Sequence, residues 1–230
     1  MIKIGLLLRY SKSDIGKDIL YLSERLRRTI QKAGGFVIPI VPVQDVNYNS
    51  TKYDEFDELL EKEKEYIDYY LNMVDGVIFP GGNKISPYDK YVLDRCVELD
   101  KKVLGICLGM QLISSYNKEF KNYENNTSIN HCQEDDNVLT HNVYINRESK
   151  LYNIIGLDEM KVNSFHKFHV ENVSDDLIVS AVSEDGFIEG VEVYGKTFIV
   201  GVQWHPEISY DFDDNSKKII DHFITICKND

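Results

Sequence analysis

Val103-Leu104-Gly105-Ile106-Cys107-Leu108-Gly109-Met110-Gln111-Leu112 decides how the rest of the chain reads. Val103 to Ile106 is an apolar run with the length of a short buried strand, and Met110-Gln111-Leu112-Ile113 begins a helix. Cys107 stands at the turn between them, with Gly105 two residues before it and Gly109 two after. Gly-x-Cys-x-Gly is the thiol counterpart of the Gly-x-Ser-x-Gly nucleophile elbow. A strand-to-helix turn this sharp strains the central residue, and side chains at the flanking positions would clash. The sulfur is then exposed at the C-terminal edge of a sheet, where backbone N–H groups favour a thiolate and can receive an oxyanion. The ten residues alone leave a second reading open, a buried apolar cysteine beside a tight turn.

Working outward, the pattern before this stretch is βαβ. Ile2 to Leu8 reads as a buried strand. Asp18 to Ala33 carries Ile19, Leu22, Leu26, Ile30 and Ala33 at helical spacing and predicts a helix, ended by Gly34-Gly35. Phe36 to Val41 is a second strand, with Pro39 and Pro42 marking an edge or an end. Asp54 to Tyr70, rich in Glu, Lys and Tyr, predicts an exposed helical crossover. Val74 to Phe79 is a third strand, running into Pro80-Gly81-Gly82-Asn83, and Asp89 to Asp100 a further helix. Alternation of this kind implies a parallel sheet with right-handed crossovers.

After the cysteine the pattern changes. Asn117 to Asn137 is polar and without period, a surface loop. Val138 to Asn146, Lys161 to Phe165 and Leu177 to Ser183 predict strands, and Ser149 to Ile155 a short helix. Phe187 to Val193 and Lys196 to Gln203 predict a hairpin around Tyr194-Gly195. A last helix is expected over Asn215 to Cys227. With no repeat and no linker composition, residues 1–230 are expected to form a single α/β domain.

Composition excludes some functions. The chain has 230 residues, 43% hydrophobic and 28% charged, with a net charge of −12 and no basic stripe. That is the wrong balance for a nucleic-acid binder. No apolar run reaches transmembrane length, and the N-terminus lacks a signal-peptide pattern. Cys96, Cys107, Cys132 and Cys227 are scattered, with no CxxC pair. The expectation is a cytoplasmic protein that touches neither nucleic acid nor membrane.

A thiol nucleophile needs a base, and the base needs an orienting group. Gly201-Val202-Gln203-Trp204-His205-Pro206-Glu207 offers both: a strand delivers His205 to its end, Pro206 turns the chain, and Glu207 follows on the same side if the chain stays extended. Phe79-Pro80-Gly81-Gly82-Asn83 lacks the Gly-Lys-Ser/Thr of a P-loop, but adjacent glycines suit a loop whose N–H groups approach a ligand. In Asn163-Ser164-Phe165-His166-Lys167-Phe168-His169, Ser164 and His166 would face one side of a strand end. His166 and His169 hint at metal ligation, yet no cysteine or carboxylate cluster completes a site. Neither a metal nor a cofactor is expected.

Gly105-Ile106-Cys107-Leu108-Gly109-Met110-Gln111, Phe79-Pro80-Gly81-Gly82 and Gln203-Trp204-His205-Pro206-Glu207, in this order, resemble the class I glutamine amidotransferase-like superfamily. Ile4 to Pro42 and Val162-Asn163-Ser164-Phe165-His166 resemble its γ-glutamyl-γ-aminobutyrate hydrolase branch, peptidase C26. The resemblance implies a flavodoxin-like three-layer α/β/α sandwich with a mainly parallel central sheet. It implies a small-molecule γ-glutamyl substrate attacked by Cys107, with His205 as base and Glu207 orienting it. The N–H groups of Gly82 and Leu108 would form the oxyanion hole. Gly81, Gln111, Ser164 and His166, and Asn142 on the strand His141-Asn142-Val143, would contact substrate.

The sequence departs from the branch on the leaving-group side, in Ile113-Ser114-Ser115-Tyr116-Asn117, His166-Lys167 and Asn83-Lys84-Ile85-Ser86-Pro87. A cationic Lys84 or Lys167 there would suit an anionic leaving group, such as the nucleotide of a phosphoramidate. Two other readings accompany the stand-alone hydrolase: a glutaminase subunit passing ammonia to a synthetase partner, and a catalytically silent binding member. A homodimer is compatible with each.

Overall fold

A computed structural model describes residues 1–42 and 59–228. In chain order the strands and helices are β1 (Ile2–Leu7), β2 (Arg9–Lys12), β3 (Asp18–Tyr21), α1 (Glu24–Lys32), β4 (Gly35–Ile40), α2 (Glu61–Met73), β5 (Gly76–Phe79), α3 (Pro87–Glu98), β6 (Lys102–Ile106) and α4 (Leu108–Ser114). They continue with β7 (Tyr123–Glu124), β8 (His141–Ile145), α5 (Lys150–Ile155), β9 (Glu159–Val162), β10 (Phe168–His169), β11 (Leu177–Ser183), β12 (Ile188–Val193), β13 (Ile199–Val202), α6 (Pro206–Ser209) and α7 (Asp214–Ile226).

Nine strands form one sheet in the order β4-β1-β5-β6-β13-β12-β11-β8-β9. The first five are parallel. The remaining four continue the sheet antiparallel. The expected three-layer α/β architecture is therefore present, with an antiparallel extension on its parallel half. Strand alternation sends side chains to two cores. Ile4 and Leu6 of β1, Leu104 and Ile106 of β6, and Val200 and Val202 of β13 meet Leu26 and Ile30 of α1 and Ile220 and Phe223 of α7. On the other face Leu7, Val77, Val103 and Ile199 meet Ile67 and Leu71 of α2, Val92 and Leu93 of α3, and Met110 and Ile113 of α4. Pro39 lies in β4 at the sheet's edge, where a missing N–H is tolerated. Among the described residues no helix is long and apolar enough to cross a membrane.

Two expectations need correction, and part of a third lies outside the described residues. Asp18–Tyr21 is not the start of a helix but a strand paired antiparallel with β2. Ser23 starts α1, its side chain accepting from the Leu26 N–H, and Ile19 and Leu20 are exposed, so the apolar spacing before Ser23 was not a buried stripe. The strand expected over Lys161 to Phe165 ends at Val162. Residues 54–58 of the helix expected over Asp54 to Tyr70 lie outside the described residues; α2 covers Glu61–Met73.

Candidate active site

Cys107 follows β6 and caps α4 with φ 53° and ψ −108°, a region that non-glycine residues rarely occupy and hold only under constraint. The constraint is visible. Its N–H donates to Val202 O of β13 at 2.9 Å, and its C=O accepts from the Gln111 N–H at 3.1 Å. The glycines are needed for room. A Cβ at Gly105 would fall 2.7 Å from Gly109 O, and one at Gly109 only 2.0 Å from Phe79 O.

β13 pairs beside β6 and so delivers His205 next to the sulfur. Asn163 fixes this end of the chain, accepting from the His205 N–H and donating to its C=O, both at 2.8 Å. The Phe165 ring stands edge-on to the imidazole at 5.7 Å between centroids. Glu207 does not follow in an extended chain, as the sequence suggested. Pro206 opens the single turn α6, and that turn folds Glu207 Oε1 back to 2.8 Å from His205 Nδ1. Thr29 of α1 donates to Glu207 O at 3.2 Å and pins the turn. With Nδ1 engaged, Nε2 is left for the thiol, and both side chains line the same cleft.

Electrostatics separate this cysteine from Cys96. Burial pushes the Cys96 thiol up to about 12. Burial pushes Cys107 up too, but the charge and hydrogen bond of His205, the charge of His166 and the Leu108 N–H outweigh it, and the thiol lies below its ordinary value. Burial lowers His205, but the negative charges of Glu207 and Cys107 and their hydrogen bonds raise it well above the usual histidine range. Both directions favour a thiolate–imidazolium pair.

Pro80-Gly81-Gly82 forms the opposite wall. Its anchor, Arg9, was not anticipated from sequence. Arg9 is buried, pairs with the buried Asp89, and donates to Pro80 O from Nε at 3.2 Å and from a terminal nitrogen at 2.8 Å. Asp89 in turn accepts from the Ser86 N–H at the start of α3. The guanidinium therefore links β2, the glycine loop and α3. No local sequence signal marks a pair 80 residues apart.

Between the walls lies a cleft of 460 Å³ in which Gly81, Gly82, Cys107, His205 and Glu207 all take part. Arg9, Tyr21, Arg25, Asp136 and Phe165 also line it, and Arg25 and Asp136 form an ion pair at 3.2 Å. Other residues expected at the substrate are beside the cleft instead. The Gln111 amide donates to Gln203 Oε1 and Phe168 O, both at 3.0 Å, and accepts from Asn122. Asn142 faces outward and donates to Glu184; strand alternation turns its neighbour His141 inward. Ser164 is fully buried, held by Gln133 and facing His131. Lys84 lines a neighbouring hollow rather than this cleft, and Lys167 is exposed.

His166 turns away from His169, which stacks on Phe187, and joins His131, His141 and Glu189. One ligand atom from each of these four buried residues lies within 4.8 Å of the others. The sequence pointed to the wrong partner, because the missing carboxylate comes from β12 and two imidazoles from a distant loop and strand.

A sheet with a parallel half and a strained cysteine at a strand's end, backed by a histidine and a glutamate that follow the neighbouring strand, defines the class I glutamine amidotransferase-like fold. The peptidase C26 model matches residues 88–207, more than half of the chain, and the protein belongs to that family. The chain is 29% identical over 218 residues to the glutamine amidotransferase-like protein RP404 of Rickettsia prowazekii, covering 66% of this chain and 77% of that one. It is 27% identical over 172 residues to the γ-glutamyl-CDP-amidate hydrolase of Campylobacter jejuni, covering 70% and 76%. The glutaminase domain of Trypanosoma brucei CTPS with bound acivicin has the same fold, with a TM-score of 0.66 at 15% identity over 99% of this chain and 94% of that one. The family supports hydrolysis of carbon–nitrogen bonds in the manner of glutamine amidotransferase-like enzymes.

Proposed function

We propose that this protein is a γ-glutamyl hydrolase that cleaves a γ-glutamyl C–N bond through a glutamyl thioester on Cys107. The supporting observation is the approach of the lowered thiol, the raised imidazole and a 2.8 Å carboxylate at one open cleft. The Cys107 thiolate attacks the γ-carbonyl carbon. The resulting oxyanion is received by the N–H groups of Gly82 and Leu108. His205, protonated at Nε2, gives that proton to the leaving nitrogen as the C–N bond breaks. The imidazole then takes a proton from water, whose oxygen attacks the thioester; the C–S bond breaks, and glutamate leaves. Glu207 holds the ring and stabilises its charged form.

Arg25 on the cleft wall, in exchange for its ion pair with Asp136, offers a guanidinium to a leaving group that carries negative charge. γ-Glutamyl conjugates of γ-aminobutyrate, of a neutral amine of similar length and of a nucleotide phosphoramidate should be compared, with glutamate release as the common readout. Anionic conjugates should be preferred, Arg25→Ala should erase that preference, and Cys107→Ala should abolish release from all of them. Undiminished release by Cys107→Ala would remove the mechanism. Equal turnover of the neutral conjugate would remove the leaving-group assignment alone.

A further inference from the structure

The cluster beside the cleft carries more than packing. His131, His141, His166 and Glu189 are buried and come from four separate places: the loop before Cys132, β8, the segment after β9, and β12. Glu189 Oε1 is the hub, 3.3 Å from His166 Nε2, 3.6 Å from His131 Nδ1 and 4.0 Å from His141 Nε2. The outer nitrogen of each ring faces an obligatory acceptor. His131 Nε2 lies 3.0 Å from Asp185 Oδ2, His141 Nδ1 3.2 Å from Asn142 O, and His166 Nδ1 3.0 Å from Phe168 O. A carboxylate or carbonyl at that position requires the ring N–H there. A metal-binding imidazole is the neutral form; in that form the inner nitrogen of each ring is a lone pair, and three lone pairs point at a carboxylate.

Acceptors converging on acceptors repel unless something positive sits among them. Among the described residues, His141 Nε2, His166 Nε2 and both Glu189 oxygens are buried without a hydrogen-bond partner, a costly condition for so many polar atoms. His131 Nδ1 has one contact besides the hub, the Ser164 hydroxyl at 3.3 Å. Outer N–H donation to a carboxylate or carbonyl, with the inner nitrogen turned to a common centre, is how proteins orient metal-binding histidines.

We propose that His131, His141, His166 and Glu189 bind one divalent transition-metal ion of the zinc class. Three imidazoles and one carboxylate suit zinc, and they exclude magnesium and calcium, which take oxygen ligands. Ligands about 2.0–2.1 Å from a tetrahedral zinc stand about 3.3 Å apart. Four atoms mutually within 4.8 Å therefore need only contract slightly. Four protein ligands in a buried pocket close the coordination sphere, so the ion is structural rather than a Lewis acid for the substrate. It clasps β8 and β12 to the segment Asn163–His166, whose first residue holds the His205 backbone.

The test is the full chain produced without an oligohistidine tag and dialysed against metal-free buffer. Elemental analysis should find about one zinc per chain. Cobalt loaded after chelation should give the intense visible bands of a tetrahedral site, and chelation should lower the melting temperature reversibly. Glu189→Gln and His141→Ala should lose the metal. Asp185→Asn only loosens the orientation of His131, so it serves if those variants fail to fold; it should weaken zinc binding at least about 10-fold. A folded chain that neither retains zinc nor takes it up, and whose melting is indifferent to chelator, overturns the proposal. So does stoichiometric zinc whose affinity is unchanged in Asp185→Asn and in whichever ligand variants fold.

Discussion

Gly109→Ala gives a test in which two physical effects have opposite signs. Gly109 is in α4, where alanine is intrinsically favoured over glycine by about 1 kcal/mol. If the position had room, the substitution would stabilise the protein. The added Cβ, however, would stand 2.0 Å from Phe79 O and 2.7 Å from Phe79 C. Both are backbone atoms at the end of β5, so no rotamer change relieves the clash. Reaching ordinary contact, at 3.4 Å, requires the helix and strand to part by more than an ångström. Overpacking of this kind costs about 3 kcal/mol or more, which exceeds the propensity gain and leaves a net loss of about 2 kcal/mol. For a chain of this size that is roughly 4–8 °C of melting temperature. Activity should suffer more, because Cys107 is two residues away and a displacement of about 1 Å at a reacting group costs about 10²-fold. The control is Gly195→Ala, at the β12–β13 turn. Among the described residues a Cβ there meets nothing within 4 Å, but φ is +72°, so about 1–2 kcal/mol is lost to backbone strain and glutamate release should stay unchanged. Thermal melts and initial rates on the three proteins decide the matter. A Gly109→Ala enzyme that melts above the parent and turns over normally would show that the elbow does not need the close approach described here.

Three further substitutions probe the walls of the cleft. In Gly81→Ala the new Cβ falls 2.9 Å from His205 Cε1 and 3.5 Å from Cys107 Cβ; kcat/KM should drop about 10²-fold with little change in melting, and a normal rate would mean the ring is not confined against this loop. Arg9→Met leaves Asp89 buried and unpaired, at a cost of about 3–5 kcal/mol; adding Asp89→Asn should recover much of it in denaturant titrations, and failure to recover would deny the pair its role. Glu207→Gln removes the largest influence raising His205. The imidazolium is then lost at a lower pH, and a neutral ring no longer depresses the Cys107 thiol, so the alkaline limb of kcat/KM should move down, the acid limb up, and the maximum should fall about 10²-fold; an unshifted profile would contradict the sign of that coupling.

What could be read from the chain without coordinates divides by distance along it. The convergence of Cys107, His205 and Glu207 on one cleft was legible because each lies in a short motif whose spacing carries its own geometry, and the parallel half of the sheet follows from alternating strands and helices. Even there the route was partly wrong: Glu207 reaches His205 through the turn opened by Pro206, not along an extended strand. Asp18–Tyr21 misled because Ile19 and Leu22 continue the period of α1 backward, while only the cap at Ser23 shows where burial begins. Arg9 was invisible, since its worth depends on Asp89 and Pro80 some 70 to 80 residues on.

The histidine cluster is the extreme case of the same rule. His166 alone is an ordinary residue near a strand end, and pairing it with His169 along the sequence fails because His169 turns to stack on Phe187. What makes His166 unusual is that β8 and β12, separated in the sheet only by β11, bring His141 and Glu189 to the same point. The segment between β9 and β10 then serves two centres at once. Asn163 and Phe165 contact His205, while Ser164 and His166 turn the other way, toward the carboxylate of Glu189 and the ring of His131. Alternation over four residues thus ties the position of the base to the state of the buried cluster. An ion at that cluster would stiffen the cleft wall without touching the substrate, and its removal should lower activity through His205 in parallel with the loss of thermal stability.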